Sequence, residues 1–173
     1  MRIHICGIYG SGKSTLAREL TKELGIKNYS LDDLKYKVKY SKIRSVEERT
    51  KLLKKICSRK DWIIEGAWSD YAEEAFKKAN FVILMNLPKS VCSYRIIKRH
   101  LLRKKEGEKY EQDSFFGALR LVRKVYRYHF SREPVSFYAH KKLIDKHHKK
   151  CLIVRTSSDI PKVVRMIKEG RVR

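Results

Sequence analysis

Eight residues near the start of the chain, Gly7-Ile8-Tyr9-Gly10-Ser11-Gly12-Lys13-Ser14, satisfy the spacing G-x-x-x-x-G-K-[ST] at every fixed position. Few local patterns constrain a fold so narrowly. The glycines can take left-handed or closely approached backbone conformations, so successive N–H groups converge on a chain of phosphates. The loop must then run into a helix N-terminus, where unpaired N–H groups and the helix dipole favour negative charge. In such a cradle Lys13 reaches the β- and γ-phosphates and the Ser14 hydroxyl ligates Mg²⁺. Gly7, Tyr9, Gly10, Ser11, Gly12, Lys13, Ser14 and Thr15 are therefore the expected nucleotide contacts. The flanks suit the motif. Arg2-Ile3-His4-Ile5-Cys6 is a short half-apolar run fit for a strand, and Leu16, Leu20 and Leu24 with Ala17 mark one buried helical stripe that Gly25 ends. Strand, loop and helix in this order set the reading apart from a glycine-serine loop that happens to contain a lysine.

Beyond this unit, short apolar runs alternate with longer amphipathic ones, the pattern of an α/β protein with a parallel sheet. Ile26-Lys27-Asn28-Tyr29-Ser30 reads as a second strand that delivers Asp32 and Asp33 just past its C-terminal end. Ser45-x-x-Glu48 opens a predicted helix over 45–59 as a capping box, with Leu52, Leu53 and Ile56 as its apolar positions. Asp61-Trp62-Ile63-Ile64-Glu65-Gly66 reads as a buried third strand ending in an acid and a glycine, 70–79 as a helix, and Phe81-Val82-Ile83-Leu84-Met85 as a fully apolar fourth strand. A long basic helix follows from about 89 to 104, then a fifth strand at Cys151-Leu152-Ile153-Val154-Arg155 and a closing helix over 159–169. Residues 105–150 do not keep this rhythm. A charged break at Lys104-Lys105-Glu106-Gly107-Glu108-Lys109 precedes a predicted helix with an apolar face (Phe115, Phe116, Leu119, Val122) and a basic one (Arg120, Arg123, Lys124, Arg127).

A chain of 173 residues with 42% hydrophobic content is large enough for one real core, too small for two, and globular rather than disordered. No apolar run approaches the ~20 residues of a membrane span, and the chain runs straight into strand and loop without a secretory segment. Cys6, Cys57, Cys92 and Cys151 are scattered without C-x-x-C spacing, which reads as reduced structural thiols in a cytoplasmic setting rather than a metal site. His100, His129, His140, His147 and His148 show no ligand spacing either, and His147-His148 reads as surface. The net charge of +23 is spread over 35–60, 95–132 and 141–173. Solvated helix surfaces account for it in one reading. In the other, it attracts polyanions: nucleotides, nucleic acid or acidic lipid.

Gly7–Ser14, Leu31-Asp32-Asp33-Leu34, Asp61–Gly66, Ala79-Asn80-Phe81-Val82-Ile83-Leu84 and Arg95-Ile96-Ile97-Lys98-Arg99 together resemble the P-loop kinases of small molecules and nucleotides, the adenylate kinase and shikimate kinase group. The likeness is nearest to the adenylate-kinase-related proteins labelled DNA topology modulation proteins. Arg155-Thr156-Ser157-Ser158-Asp159-Ile160 also resembles the loop before that family's last helix, so the likeness spans nearly the whole chain. It implies a three-layer α/β/α P-loop NTPase fold in a single domain over 1–173, a five-stranded parallel sheet ordered 2-3-1-4-5, and a helical lid in 105–150. It also implies ATP and Mg²⁺ as cofactors.

The same resemblance distributes roles. Asp32 and Asp33 sit where related kinases hold an acid facing the acceptor hydroxyl; Asp32 is the first choice as base, with Lys35 one turn later able to touch an acceptor phosphate. The alternative is that one of these acids only caps the helix starting there. Glu65 takes the place of the family's Asp in a strand-end D-G pair, where a carboxylate can hold Mg²⁺ through water and orient Ser14. Its longer side chain departs from the pattern, and an acid at an exposed strand end is the plain alternative. Gly66-Ala67-Trp68-Ser69 reads as a flexible loop lining the acceptor pocket, with Trp68 equally open to a packing role. Arg95 and Arg99 match R-x-x-x-R and share a helix face, suited to neutralising the transferring phosphate, with Arg103 a turn further on. A basic surface stripe is the alternative, and for Arg120, Arg123 and Arg127 it is the preferred one. Three functions remain in view: an ATP-dependent phosphotransferase acting on a small acceptor such as a nucleotide or nucleoside, a nucleic-acid-associated P-loop ATPase or nucleic-acid-end kinase, and a non-catalytic nucleotide-binding module.

Overall fold

The computed structural model describes residues 1–38, 42–105, 114–147 and 151–170. Five parallel strands form its sheet: β1 (Arg2–Gly7), β2 (Asn28–Ser30), β5 (Trp62–Glu65), β6 (Phe81–Met85) and β7 (Cys151–Val154). They lie in the order β2-β5-β1-β6-β7. Two shorter strands, β3 (Tyr36–Val38) and β4 (Lys42–Ile43), pair antiparallel as a separate hairpin. Within the five-stranded sheet alone the order is second, third, first, fourth, fifth, as the resemblance implied; the hairpin is an addition. This order puts β1 at the centre, with Ile5 opposite Glu65 on one side and Gly7 opposite Met85 on the other. The phosphate loop thus springs from the best-supported strand.

Eight helices complete the described residues: α1 (Lys13–Leu24), α2 (Leu31–Lys35), α3 (Val46–Cys57), α4 (Glu73–Lys78), α5 (Lys89–Lys105), α6 (Phe115–Arg127), α7 (Phe137–Lys146) and α8 (Asp159–Lys168). Alternation along the strands decides which helices cover which face, because successive side chains point to opposite sides. Ile3, Ile5, Ile63, Ile83 and Met85 pack with Leu16, Leu20, Cys92, Ile96, Val125, Val163 and Ile167 from α1, α5, α6 and α8. Cys6, Trp62, Ile64, Val82 and Leu84 pack on the other face with Leu31, Leu53, Ile56, Phe76 and Ile144 from α2, α3, α4 and α7. The result is a three-layer α/β/α fold. Strands covered on both faces read as apolar runs, as β6 does throughout and β5 does up to Glu65 at its C-terminal end.

Local signals held where they were strong. Ser45 and Glu48 form the expected capping box at α3, each side chain meeting the other's backbone N–H. Gly25 closes α1 in a left-handed conformation at φ +68°. Other boundaries moved. β2 starts at Asn28, and α4 spans Glu73–Lys78 rather than 70–79. The hairpin was not expected, since strands of three and two residues carry no readable alternation. Nor was α7, whose few buried positions include His140 and Ile144. Part of the charged break after Lys105, and His148, lie outside the described residues, as does the side chain of Arg103. Among the described residues no helix is long and apolar enough to cross a membrane, and all four cysteines are free.

Candidate functional site

The loop from β1 to α1 needs its glycines. Gly10 sits at φ +74°, and a Cβ there would lie 2.4 Å from the Cys92 carbonyl oxygen of α5. Gly12, at φ +93°, is the N-cap of α1 and supplies no side-chain cap. The first-turn N–H groups of α1 therefore keep no internal side-chain partner at the cap, the condition for anion binding at a helix start. Lys13 is only 8% exposed. Its Nζ donates to the Ile8 carbonyl at 2.8 Å, folding the ammonium back on the loop, and the Ser11 hydroxyl donates to the same carbonyl at 2.7 Å. Burial lowers the Lys13 pKa, and the nearby charges of Glu65 and Asp32 oppose that shift. A buried ammonium with two acids close by is a group poised to exchange these partners for phosphate oxygens.

Glu65 ends β5 and is 7% exposed, so the alternative of an acid on an exposed strand end does not hold. The Ser14 hydroxyl donates to its Oε1 at 3.1 Å. From α5, Arg95 donates to the Ser11 carbonyl at 3.2 Å and to the Ser157 hydroxyl at 2.8 Å. Ser157 is held there because the Asp159 carboxylate accepts from the backbone N–H groups of Arg155 and Thr156, bonds that also keep its pKa low. Arg95 thus ties the phosphate loop to the loop after β7. Arg99 lies one turn further along α5 and faces the same cleft. That cleft, about 1000 Å³, brings together Lys13, Ser14, Asp32, Glu65, Arg95 and Arg99.

On the facing side, α2 is capped by Ser30, whose hydroxyl accepts from the Asp32 N–H. Neither Asp32 nor Asp33 is the cap, which removes the structural alternative for both. The Asp32 carboxylate instead accepts the Trp68 indole N–H at 2.7 Å. Lys35 does not reach into the cleft: its Nζ stands 3.1 Å from the centre of the Trp68 ring, and burial lowers its pKa. A second cavity of about 400 Å³ adjoins the first, sharing Tyr9, Asp32, Tyr36 and Arg99. Trp68, Phe116, Arg120 and Lys124 complete much of its wall, so Arg120 belongs to the site region rather than to bare surface. Arg127 instead pairs with Glu133 at 3.4 Å. Sequence reasoning missed Arg18 and Arg44. Arg18 lies on the outward side of α1, and Arg44 reaches the cleft only because its guanidinium binds the carbonyls of Asp33 and Leu34 at the end of α2. Nothing in their local spacing marks them. Among the described residues no group of three or more His, Cys, Asp and Glu side chains could hold a metal ion.

Fold and loop together define a nucleotide-binding P-loop protein of kinase-like architecture. Residues 3–114 match the family described as an AAA domain, and the chain belongs to that family. The match ends where α6 begins, so much of the second cavity's wall lies beyond it. A curated relative, the uncharacterized protein YqaC of Bacillus subtilis, is 32% identical over 123 residues, which span 66% of this chain and 67% of YqaC. Among solved structures, shikimate kinase from Acinetobacter baumannii in complex with shikimate superposes with a TM-score of 0.59 at 17% identity, covering 99% of this chain and 95% of its own. An uncharacterized protein from Eubacterium ventriosum gives 0.54 at 18% identity, covering 98% and 97%. At these identities the structural likeness speaks for the fold alone.

Proposed function

We propose that the protein is an ATP-dependent kinase, related to adenylate kinase and the topology modulation proteins, that transfers a γ-phosphoryl group to a small acceptor, a nucleotide or nucleoside. The observation that carries this reading is the cleft itself, with Lys13, Arg95 and Arg99 on one side and Asp32 on the other. Phosphoryl transfer asks a protein mainly for position and charge neutralisation. Loop amides and Lys13 bind the phosphates, while Arg95 or Arg99 meets the charge that spreads over the equatorial oxygens. Asp32 takes the proton from the acceptor hydroxyl as its oxygen bonds to the γ-phosphorus and the bond to ADP breaks. Ser14 and Glu65, two hard oxygen donors 3.1 Å apart, fit Mg²⁺, which commonly binds through one or two protein groups plus phosphate and water. That ion would neutralise phosphate charge. We read residues 1–173 as one such domain with 105–150 as its lid region, working in the cytoplasm. An acceptor screen following ADP release tests the proposal: turnover with at least one acceptor is expected, and none with Lys13→Ala.

A second reading, contact with nucleic acid, has one observation in its favour. Around the turn after α6, cations stand over exposed rings: Lys89 Nζ lies 4.7 Å from the centre of Phe130, itself 82% exposed, and Arg132 lies 5.8 Å from that of Tyr138. Interleaved rings and cations are the means by which proteins stack single-stranded bases.

A further inference from the structure

The loop after β5 is fixed at both ends. Gly66 packs so tightly that a Cβ would lie 2.5 Å from Leu31 Cβ. The next residue, Ala67, offers its carbonyl to His140 Nε2 at 2.9 Å, while His140 Nδ1 meets the Tyr128 hydroxyl at 2.8 Å. One neutral tautomer satisfies both bonds, Nε2–H donating and Nδ1 accepting. Three residues beyond Trp68, the Tyr71 hydroxyl donates to the Leu31 carbonyl at 2.5 Å. Trp68 stands between these anchors, with its single donor on Asp32 Oδ1 at 2.7 Å and its ring under Lys35. Trp68 and Asp32 both line the smaller cavity, so the indole occupies space beside the carboxylate oxygen that an acceptor would use.

We infer that Trp68 is a specificity-determining residue that reserves Asp32 for the acceptor by denying it to water. The inference rests on the reading of Asp32 as the base. With ATP bound and no acceptor present, a water beside a free carboxylate oxygen could attack the γ-phosphorus. Its oxygen would bond to phosphorus, the bond to the β-phosphate oxygen would break, and the water proton would pass to Asp32, releasing ADP and inorganic phosphate. The indole obstructs that route: its N–H takes an acceptor position on Oδ1, its ring fills cavity space beside the carboxylate, and its nitrogen lone pair, delocalised in the ring, cannot attack phosphorus. Water, with one small dipole to offer, displaces a ring clamped by a cation poorly. An acceptor that brings a ring or an anionic group of its own can do so, because Lys35, once released from the indole, becomes a counter-charge for it. Trp68 thereby couples acceptor binding to exposure of the base.

The test uses Trp68→Phe, which keeps an aromatic ring for Lys35 to face while removing the N–H donor and part of the ring that fills the cavity. ADP release from Mg²⁺-ATP without acceptor should rise on the order of tenfold, below the ~10²–10⁴ contribution of a well-placed base. The double variant Trp68→Phe/Asp32→Asn should return it to the wild-type rate. A fluorescent ATP analogue should bind wild type and both variants alike. Unchanged hydrolysis in Trp68→Phe with nucleotide binding intact overturns the inference and leaves the kinase reading standing. Raised hydrolysis that survives Asp32→Asn overturns the inference together with the role of Asp32 as base, while the acceptor screen alone decides the kinase reading. A second measurement does not depend on that variant. Trp62 is fully buried, so acrylamide quenching reports mainly on Trp68. Asp32→Ala should increase it severalfold, and unchanged quenching would mean the indole is not held by the carboxylate.

Discussion

Glu65 and Gly66 show how two adjacent residues can serve different ends of one site. The carboxylate of Glu65 turns to Ser14 and the phosphate loop. Gly66, with no side chain, lets β5 approach Leu31 in α2, the helix that carries Asp32. A methyl group at Gly66 would fall 2.5 Å from Leu31 Cβ and 2.7 Å from its Cδ1, and Leu31 is fully buried with no slack to give. Gly66→Ala should therefore destabilise the fold by about 1–3 kcal/mol, the range for forcing extra volume into a packed core. Urea unfolding would measure it, and a shift smaller than the error of the midpoint would mean that α2 moves freely. The same residues mark a limit of sequence reading. The fixed spacing of the phosphate loop and the i, i+4 pairing of Arg95 with Arg99 are visible one segment at a time. The Trp68–Asp32 hydrogen bond joins residues 36 positions apart and exists only because β5 and α2 pack together.

At the scale of elements, two buried histidines tie the layers together. His4 on β1 donates from Nδ1 to the Ile64 carbonyl, 3.1 Å away, and meets the Phe76 ring edge-on; His140 on α7 joins Tyr128 and the Ala67 carbonyl. Burial first, and for His4 the proximity of His140 second, lowers their pKa values to about 3 and about 4. The folded chain therefore leaves both neutral, while the unfolded chain takes up two protons as pH falls through about 6.5. Stability is constant above that point and lost below it, by at most about 1.4 kcal/mol per pH unit for each histidine. Carboxylates with lowered pKa, such as Glu73 beside Lys146, add their loss only below about pH 4.5, which isolates the histidines in the window above. Urea midpoints at about pH 7.5 and about pH 5 should differ clearly; equal midpoints would mean the two rings are not buried as described. His4 and His140 were invisible as structural partners in the sequence, where one lies in an apolar run and the other in an aromatic-basic stretch. The sheet itself was legible, because buried parallel strands must be continuous apolar runs. The hairpin β3–β4 and α7 were not, being too short or too mixed for their period to register.

For the whole molecule, the charge of +23 exceeds what one triphosphate pocket can use. If the rings and cations around Phe130 and Tyr138 bind single strands, affinity for an oligonucleotide should fall steeply and linearly with the logarithm of salt concentration, and Phe130→Ala should weaken it about 5- to 100-fold, as for loss of one stacking platform. Weak binding that salt leaves unchanged would reduce this charge to a solvated surface. In the cleft the phosphate loop after β1 meets Asp32 on α2 and Arg95 and Arg99 on α5. Whether the cleft transfers phosphate can be read by following the label of γ-labelled ATP into a mixed pool of nucleosides and nucleotides. Labelled acceptor is expected with the wild-type protein and none with Lys13→Ala. Label found only in inorganic phosphate, or transfer that persists without Lys13, would contradict this expectation.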